Sequence, residues 1–173
     1  MAKKLPVAID EDEFTLLIKN TKYRKHQVCF LLGFGSGLRI SEVLKLERRD
    51  IDMNERKILI RDAKGGKDRV VPLAKGFKEK QLAYIPFHYK NLKSGARSLQ
   101  LSFKRAAEKA GLLKKKPSLH FHSLRHGFAT QLVKKGVPIH HIRTLMGHSN
   151  IATTNVYLEA NPLEAIKSYE ELF

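Results

Sequence analysis

The chain has 173 residues, 42% of them apolar, which favours one domain able to bury its own core without disulfide or metal support. Its single cysteine, Cys29, excludes an intrachain disulfide and a cysteine-held metal cluster, as suits a reducing compartment. Thirty-three Lys and Arg against 17 Asp and Glu leave a formal charge of +16, which draws the chain towards a polyanion; charge alone leaves DNA, RNA and a merely soluble basic protein open. Met1 to Leu5 carries two lysines with no apolar stretch behind it, so no secretory signal is read. The greasiest run, Val28 to Leu32, is far too short to cross a bilayer, and the expectation is a soluble cytoplasmic protein without a membrane partner.

In chain order, Asp10 with Glu13 three residues on predicts a capped helix running to about Asn20. A second helix runs from about Tyr23 to Phe34 and is broken by Gly33, Gly35 and Gly37, and a short third covers Ile40 to Lys45 with Ser41 and Glu42 in its first turn. Between Asp50 and Leu73 short β-branched runs (Ile51, Lys57 to Ile60, Arg69 to Val71) alternate with turn residues at Asn54-Glu55 and Lys64 to Asp68. They predict a small three-stranded antiparallel sheet with a Gly-Gly hairpin turn beside Lys64. Beyond it the pattern is helical: a stripe of Leu99, Phe103, Ala106, Ala107 and Ala110 closing at Gly111, a helix from His122 to Lys135 stopped by Gly136, one opening at Pro138 and ending at Gly147, and a last amphipathic helix from Pro162 to Leu172. No repeat or linker interrupts the chain, and one α+β domain over residues 1–173, mostly helical, is expected.

His122 and Arg125 lie three apart and share a face of a helix start, where backbone N–H groups and the dipole favour an anion. An imidazole for proton exchange beside an anion-gripping guanidinium suits phosphoryl transfer. His148 follows a helix end, and Tyr157 stands nine residues further on. Six histidines from His120 to His148 invite a metal reading, but no His-Glu-x-x-His pattern or paired acidic ligand accompanies them, and no metal or other cofactor is expected. Asp50-Ile51-Asp52, read as a strand with both carboxylates on one side, has nothing to complete a Mg²⁺ shell, and Lys64-Gly65-Gly66-Lys67 lacks the spacing of a P-loop.

His122-x-x-Arg125-His126, then Gly147-His148, then Tyr157, resembles the C-terminal signature of the tyrosine recombinases, the family of the Xer proteins and phage integrases. Gly35 to Glu42 resembles that family's first arginine box, with Arg39 followed three residues on by Glu42, and Asp62 to Leu73 resembles its β-hairpin lysine box. Together these blocks run in order from Gly35 to Tyr157, and no motif position departs from the pattern. The resemblance implies the tyrosine recombinase catalytic fold without the N-terminal core-binding domain such proteins usually carry.

It also implies roles. A phenol with an ordinary pKa of about 10 is a poor nucleophile at neutral pH and needs a cationic field or a base. Tyr157 would attack a DNA phosphodiester, forming a 3′-phosphotyrosyl link and releasing a 5′-hydroxyl. Arg39 and Arg125 would grip the non-bridging oxygens, His148 would donate to the phosphate, and His122 would exchange a proton with Tyr157. Lys64 would be the general acid for the leaving oxygen, with Lys67 as its rival, and Glu42 would serve as a supporting brace rather than take part in the chemistry. Double-stranded DNA is the implied partner, with a tetrameric synapse built through the C-terminal helix, although that helix could equally pack on its own domain.

Two other readings compete. Residues Phe128 to Leu145, with Gly136 in the turn, could form a helix-turn-helix of a non-catalytic regulator, making Tyr157 a packed aromatic. A type IB topoisomerase would share the cleavage chemistry but rejoin the same strand.

Overall fold

A computed structural model of the chain describes residues 6–61, 68–87 and 89–147. Helix α1, Glu11–Lys19, begins as expected: Asp10 Oδ1 accepts from the Glu13 N–H at 2.8 Å, and the Asp10 N–H donates to Glu13 Oε2 at 3.0 Å. Two of the N–H groups that a helix start leaves open are thereby satisfied.

Helix α2, Arg24–Gly35, is the centre of the fold, and it packs on α1, α3 (Ile40–Lys45), α4 (Leu92–Lys109) and α6 (His122–Lys134). Val28, Cys29, Phe30, Leu32 and Phe34 are all buried, so this helix is apolar nearly all round, as a helix enclosed by others must be. Phe30 meets Phe103 and Phe121 edge-on, with centroids 5.6 and 5.9 Å apart. Truncating Phe30 to alanine would cost about 3–5 kcal/mol. The helix runs through Gly33 and Gly35 and ends only where Gly37 takes the left-handed conformation (φ +69°). There the Leu38 N–H folds back onto the Leu32 carbonyl at 3.3 Å, which turns the chain into Arg39 and α3.

The sheet has the order β1 (Ile51–Asp52), β2 (Lys57–Ile60), β3 (Arg69–Pro72), antiparallel throughout. Ile58 faces Val71 and Ile60 faces Arg69 across the β2–β3 ladder. Ile58, Ile60 and Val71 are buried, so the alternation of two puts Arg69 on the inward side of the sheet with them.

The later half departs from expectation in its short elements. A 3₁₀ turn at Glu79–Tyr84 and the four-residue α5, Leu112–Lys115, carry too few apolar positions to show a period. Helix α4 starts at Leu92, ahead of the Leu99 stripe, because its first turns are polar and only Gly95 among them is buried. Asp50 and Asp52 do not share a strand face. Asp50 closes a 3₁₀ turn and is buried against Arg61 (2.7 Å), whereas Asp52 begins the β1–β2 turn by accepting from the Asn54 and Glu55 N–H groups.

Helix α6 and α7, Ile139–Met146, are joined through Gly136 and held together by a small cluster of Phe128, Ala129, Ile142 and Met146. No helix among the described residues is long and apolar enough to cross a membrane. The helix expected from Pro162 to Leu172 lies outside the described residues.

Candidate active site

Arg39 stands immediately before α3, and Glu42 sits in that helix's first turn. Glu42 Oε2 accepts from the Arg39 backbone N–H at 2.7 Å, and its Oε1 accepts from Arg39 Nη1 at 2.8 Å. The carboxylate therefore caps the helix and restrains the arginine ahead of it. Arg69 grips the same carboxylate from β3 with a two-pronged fork, Nη1 to Oε1 and Nη2 to Oε2, both at 2.8 Å.

Arg125, on α6, is 1% exposed. Its Nη1 donates to the Gly37 carbonyl at 2.6 Å and lies 4.0 Å from Glu42 Oε2, while its Nη2 donates to the Met146 carbonyl. Arg39 Nη2 reaches the same Met146 carbonyl at 3.5 Å and the Gly147 carbonyl at 3.4 Å, and Arg69 Nε holds the Leu145 carbonyl at 3.2 Å. Three guanidinium groups from three distant parts of the chain thus surround one carboxylate and collect the last carbonyls of α7. Those carbonyls have no partner within their own helix and carry its negative pole, which explains why cations gather there.

Ionisation follows from this crowding. Burial opposes the charge on Glu42, but the hydrogen bonds from Arg69 and Arg39 outweigh it and hold the carboxyl at about 2. His122, at the start of α6 and one turn ahead of Arg125, is pushed down to about 4, first by burial and then by the charge of Arg125, with His120 and Arg39 adding to it. It is thereby held as a neutral imidazole at pH 7. The His126 ring meets it edge-on at 4.9 Å.

Two backbone donors at the start of α6 are already used. The Ser123 and Leu124 N–H groups are already donated to the His120 and Phe121 carbonyls (2.9 and 3.1 Å), because the chain enters the helix through a tight turn, so these two are not open to an anion. A cleft of about 600 Å³ opens beside the cluster, bordered by Arg39, Glu42, Lys45, Arg49 and Arg61.

The structure thus brings Arg39, Glu42 and Arg125 into direct contact and places His122 within their field. Lys64, His148 and Tyr157 lie outside the described residues. Arg69 was missed because it was read only as the start of a strand. Counting back by two from Val71 along an alternating strand would have turned it inward, where an arginine needs a carboxylate. Among the described residues no group of three or more His, Cys, Asp or Glu is arranged to hold a metal ion.

Known proteins resemble this chain in sequence and in fold. The phage integrase family model matches residues 8–164. The tyrosine recombinase XerA of Thermococcus kodakarensis is 33% identical over 98% of this chain and 64% of its own length. The tyrosine recombinase XerC of Actinobacillus pleuropneumoniae is 30% identical over 98% and 60%. The chain therefore spans less than two thirds of these relatives. The crystal structure of XerA recombinase superposes with a TM-score of 0.72 at 26% identity, covering 97% of this chain and 66% of that one. The XerH site-specific recombinase in its post-cleavage complex with difH gives 0.75 at 23%, covering 96% and 53%. The mostly helical fold with its three-stranded sheet is that of tyrosine recombinase catalytic domains. With arginine box, hairpin and His-x-x-Arg helix in order along a match of this extent, the chain belongs to the phage integrase family.

Proposed function

We propose that this chain is the strand-cleaving domain of a site-specific DNA recombinase, working through a 3′-phosphotyrosyl intermediate on Tyr157 without metal or nucleotide. The observation that carries this reading is the meeting of Arg39 Nη2 and Arg125 Nη2 on one oxygen, the Met146 carbonyl. Two guanidinium groups aimed at a single partly negative oxygen form the kind of grip that a non-bridging phosphate oxygen requires, and a full anion would be held more strongly than a carbonyl.

In this mechanism the two arginines, held against the end of α7, donate to the non-bridging oxygens of a scissile phosphodiester. The phenolic oxygen of Tyr157 bonds to phosphorus as the bond to the 5′-oxygen breaks. His122, neutral at pH 7, accepts the phenol's proton, and Lys64 gives a proton to the departing 5′-oxygen. His148 donates to a non-bridging oxygen. The bond energy is kept in the phosphotyrosine, so a 5′-hydroxyl from a second strand reverses the step and no nucleotide is consumed. Cationic side chains supply the charge stabilisation that a metal supplies elsewhere. Double-stranded DNA is the partner that the +16 charge suits, and the XerH structure with the same fold holds difH substrate. A tetramer assembled through the segment from Pro162 to Leu172 belongs to the same proposal.

The test is a nicked duplex carrying a site selected by this chain from random sequence. A denaturation-resistant protein–DNA adduct is expected, lost in Tyr157→Phe and mapping to the peptide that contains Tyr157. Reversible binding unchanged by Tyr157→Phe, with no adduct, would instead support the regulator reading for which the α6–α7 pair offers a scaffold. Relaxation of supercoiled DNA with no strand exchange would support the topoisomerase.

A further inference from the structure

Arg69 belongs to no part of the chemistry described above, yet its guanidinium is fully engaged beside it. Its side chain is 8% exposed, and each of its three guanidinium nitrogens donates to a named acceptor. Two hold both oxygens of Glu42 on α3, and the third holds the Leu145 carbonyl at the end of α7. One planar group therefore ties β3 to α3 and α7, elements that are far apart in sequence.

The charges explain why a third arginine is useful. Glu42 is required to cap α3 and to restrain Arg39, but a carboxylate 2.8 Å from Arg39 also weakens the pull of Arg39 on any other anion. The fork from Arg69 draws on both carboxylate oxygens from the opposite side. Arg39 is then oriented by Glu42 without being fully neutralised by it. A lysine could supply the charge but not the two parallel bonds together with the Nε contact. The backbone adds a geometric link: the Leu145 carbonyl held by Arg69 lies one residue before Met146, whose carbonyl both Arg39 and Arg125 touch, and three before His148 in sequence.

We propose that Arg69 is a positioning residue of this site: its guanidinium shares Glu42 so that Arg39 keeps its affinity for phosphate, and it holds the Leu145 carbonyl so that the end of α7 is set against the two arginines. The role rests on the strand-cleaving reading above, and the test keeps the two apart. The first arm needs no cleavage. Inorganic phosphate is titrated into the full chain while the side-chain Nε–Hε resonances of Arg39 and Arg125 are followed by NMR. The wild type is expected to show a saturable shift at Arg39. Arg69→Met, which keeps the stem but removes the fork, weakens that binding at least tenfold; Arg69→Lys recovers part of it. The double variant Arg69→Met/Glu42→Gln, which removes the carboxylate charge left behind, binds phosphate more tightly than Arg69→Met alone.

The second arm is the rate of adduct formation at saturating DNA, where Arg69→Met is expected to be at least tenfold slower with DNA affinity within threefold of wild type. Thermal melts of every variant accompany both arms. Phosphate affinity in Arg69→Met within twofold of wild type overturns the proposal, as does the absence of a saturable shift in the wild type. Equal losses in all three variants that follow their melting temperatures would reduce Arg69 to a structural residue. A wild type that forms no adduct counts against the strand-cleaving reading, while the phosphate arm still decides the role of Arg69.

Discussion

At the scale of single residues, one carboxylate among the described residues, Glu42, sets the charge balance of the site. Glu42 answers Arg39 and Arg69 directly and lies 4.0 Å from Arg125, and neutralising it takes away the carboxylate that Arg39 and Arg69 share. Glu42→Gln is expected to lower stability by about 3 kcal/mol, the usual scale for breaking a buried ion pair from one side. In the wild type the contribution of this carboxyl is present above pH 4.5, its ordinary pKa, and is lost as the pH falls towards about 2; acid titration of the Gln variant should lack that component. His122 acts in a higher window. Between pH 6.5 and about 4 the unfolded chain binds a proton at His122 that the folded chain excludes, so stability is full above 6.5 and declines as the pH drops towards 4. His26, also lowered to about 4 chiefly by burial, adds to the same decline. Urea midpoints at pH 7 and pH 5 should therefore differ less in His122→Gln than in the wild type, with His26 sustaining the remaining difference. An unchanged difference would mean that His122 is not held neutral by its surroundings. Adduct formation in the same variant is expected to fall by about 10²–10⁴-fold, the range for a lost acid–base group.

At the scale of elements, the loop that delivers Arg39 depends on a backbone form that only glycine adopts freely. Gly37 has φ +69°, and a methyl added there would come within 2.5 Å of Phe128 Cδ1 on α6, while the Gly37 carbonyl is also what Arg125 Nη1 holds. Gly136, in the α6–α7 turn, has nearly the same φ (+70°) but nothing within 4 Å of an added methyl. Gly136→Ala should cost about 1–2 kcal/mol for the left-handed conformation alone. Gly37→Ala should cost about 3 kcal/mol or more, since overpacking is added to that strain, and it should disturb Arg125 as well. Equal urea midpoints for the two variants would show that the Phe128 contact is unimportant. These elements also mark what was legible beforehand. Helix α3 and β2 have the predicted bounds, and β1 and β3 each run one residue further, because Gly37, the turn residues and the β-branched alternation are local signals. The capping pair Asp10 and Glu13 is equally local. The burial of Arg125 was not legible, since arginine ordinarily lies at the surface and the Gly37 and Met146 carbonyls it holds are backbone atoms that no side-chain pattern records, whereas the inward turn of Arg69 was written in the strand alternation back from Val71. The roles of Lys64, His148 and Tyr157 rest on motif order.

At the scale of the whole molecule, +16 on 173 residues separates two tasks that positive charge performs here. Cations on the surface, such as Lys45 and Arg49 beside the cleft, can add to affinity for a DNA backbone by releasing counterions, whereas in the proposed mechanism Arg39 and Arg125 act on one phosphate. Binding that uses about 6–10 phosphate contacts loses affinity with a log–log salt slope of about −5 to −9. Arg39→Gln should remove only about one unit of that slope, since it deletes a single contact, yet it should slow adduct formation by about 10²-fold or more, because a donor aimed at the developing charge is worth about 3–4 kcal/mol in the transition state. Lys45→Gln should show the reverse, a similar change of slope with the cleavage rate at saturating DNA preserved. Filter binding between 50 and 200 mM salt gives the slopes, and single-turnover cleavage with EDTA present gives the rates, which the chelator should leave unchanged. If Arg39→Gln and Lys45→Gln changed slope and rate alike, Arg39 would be one more surface cation, and its contact with Arg125's carbonyl partner would have no chemical meaning.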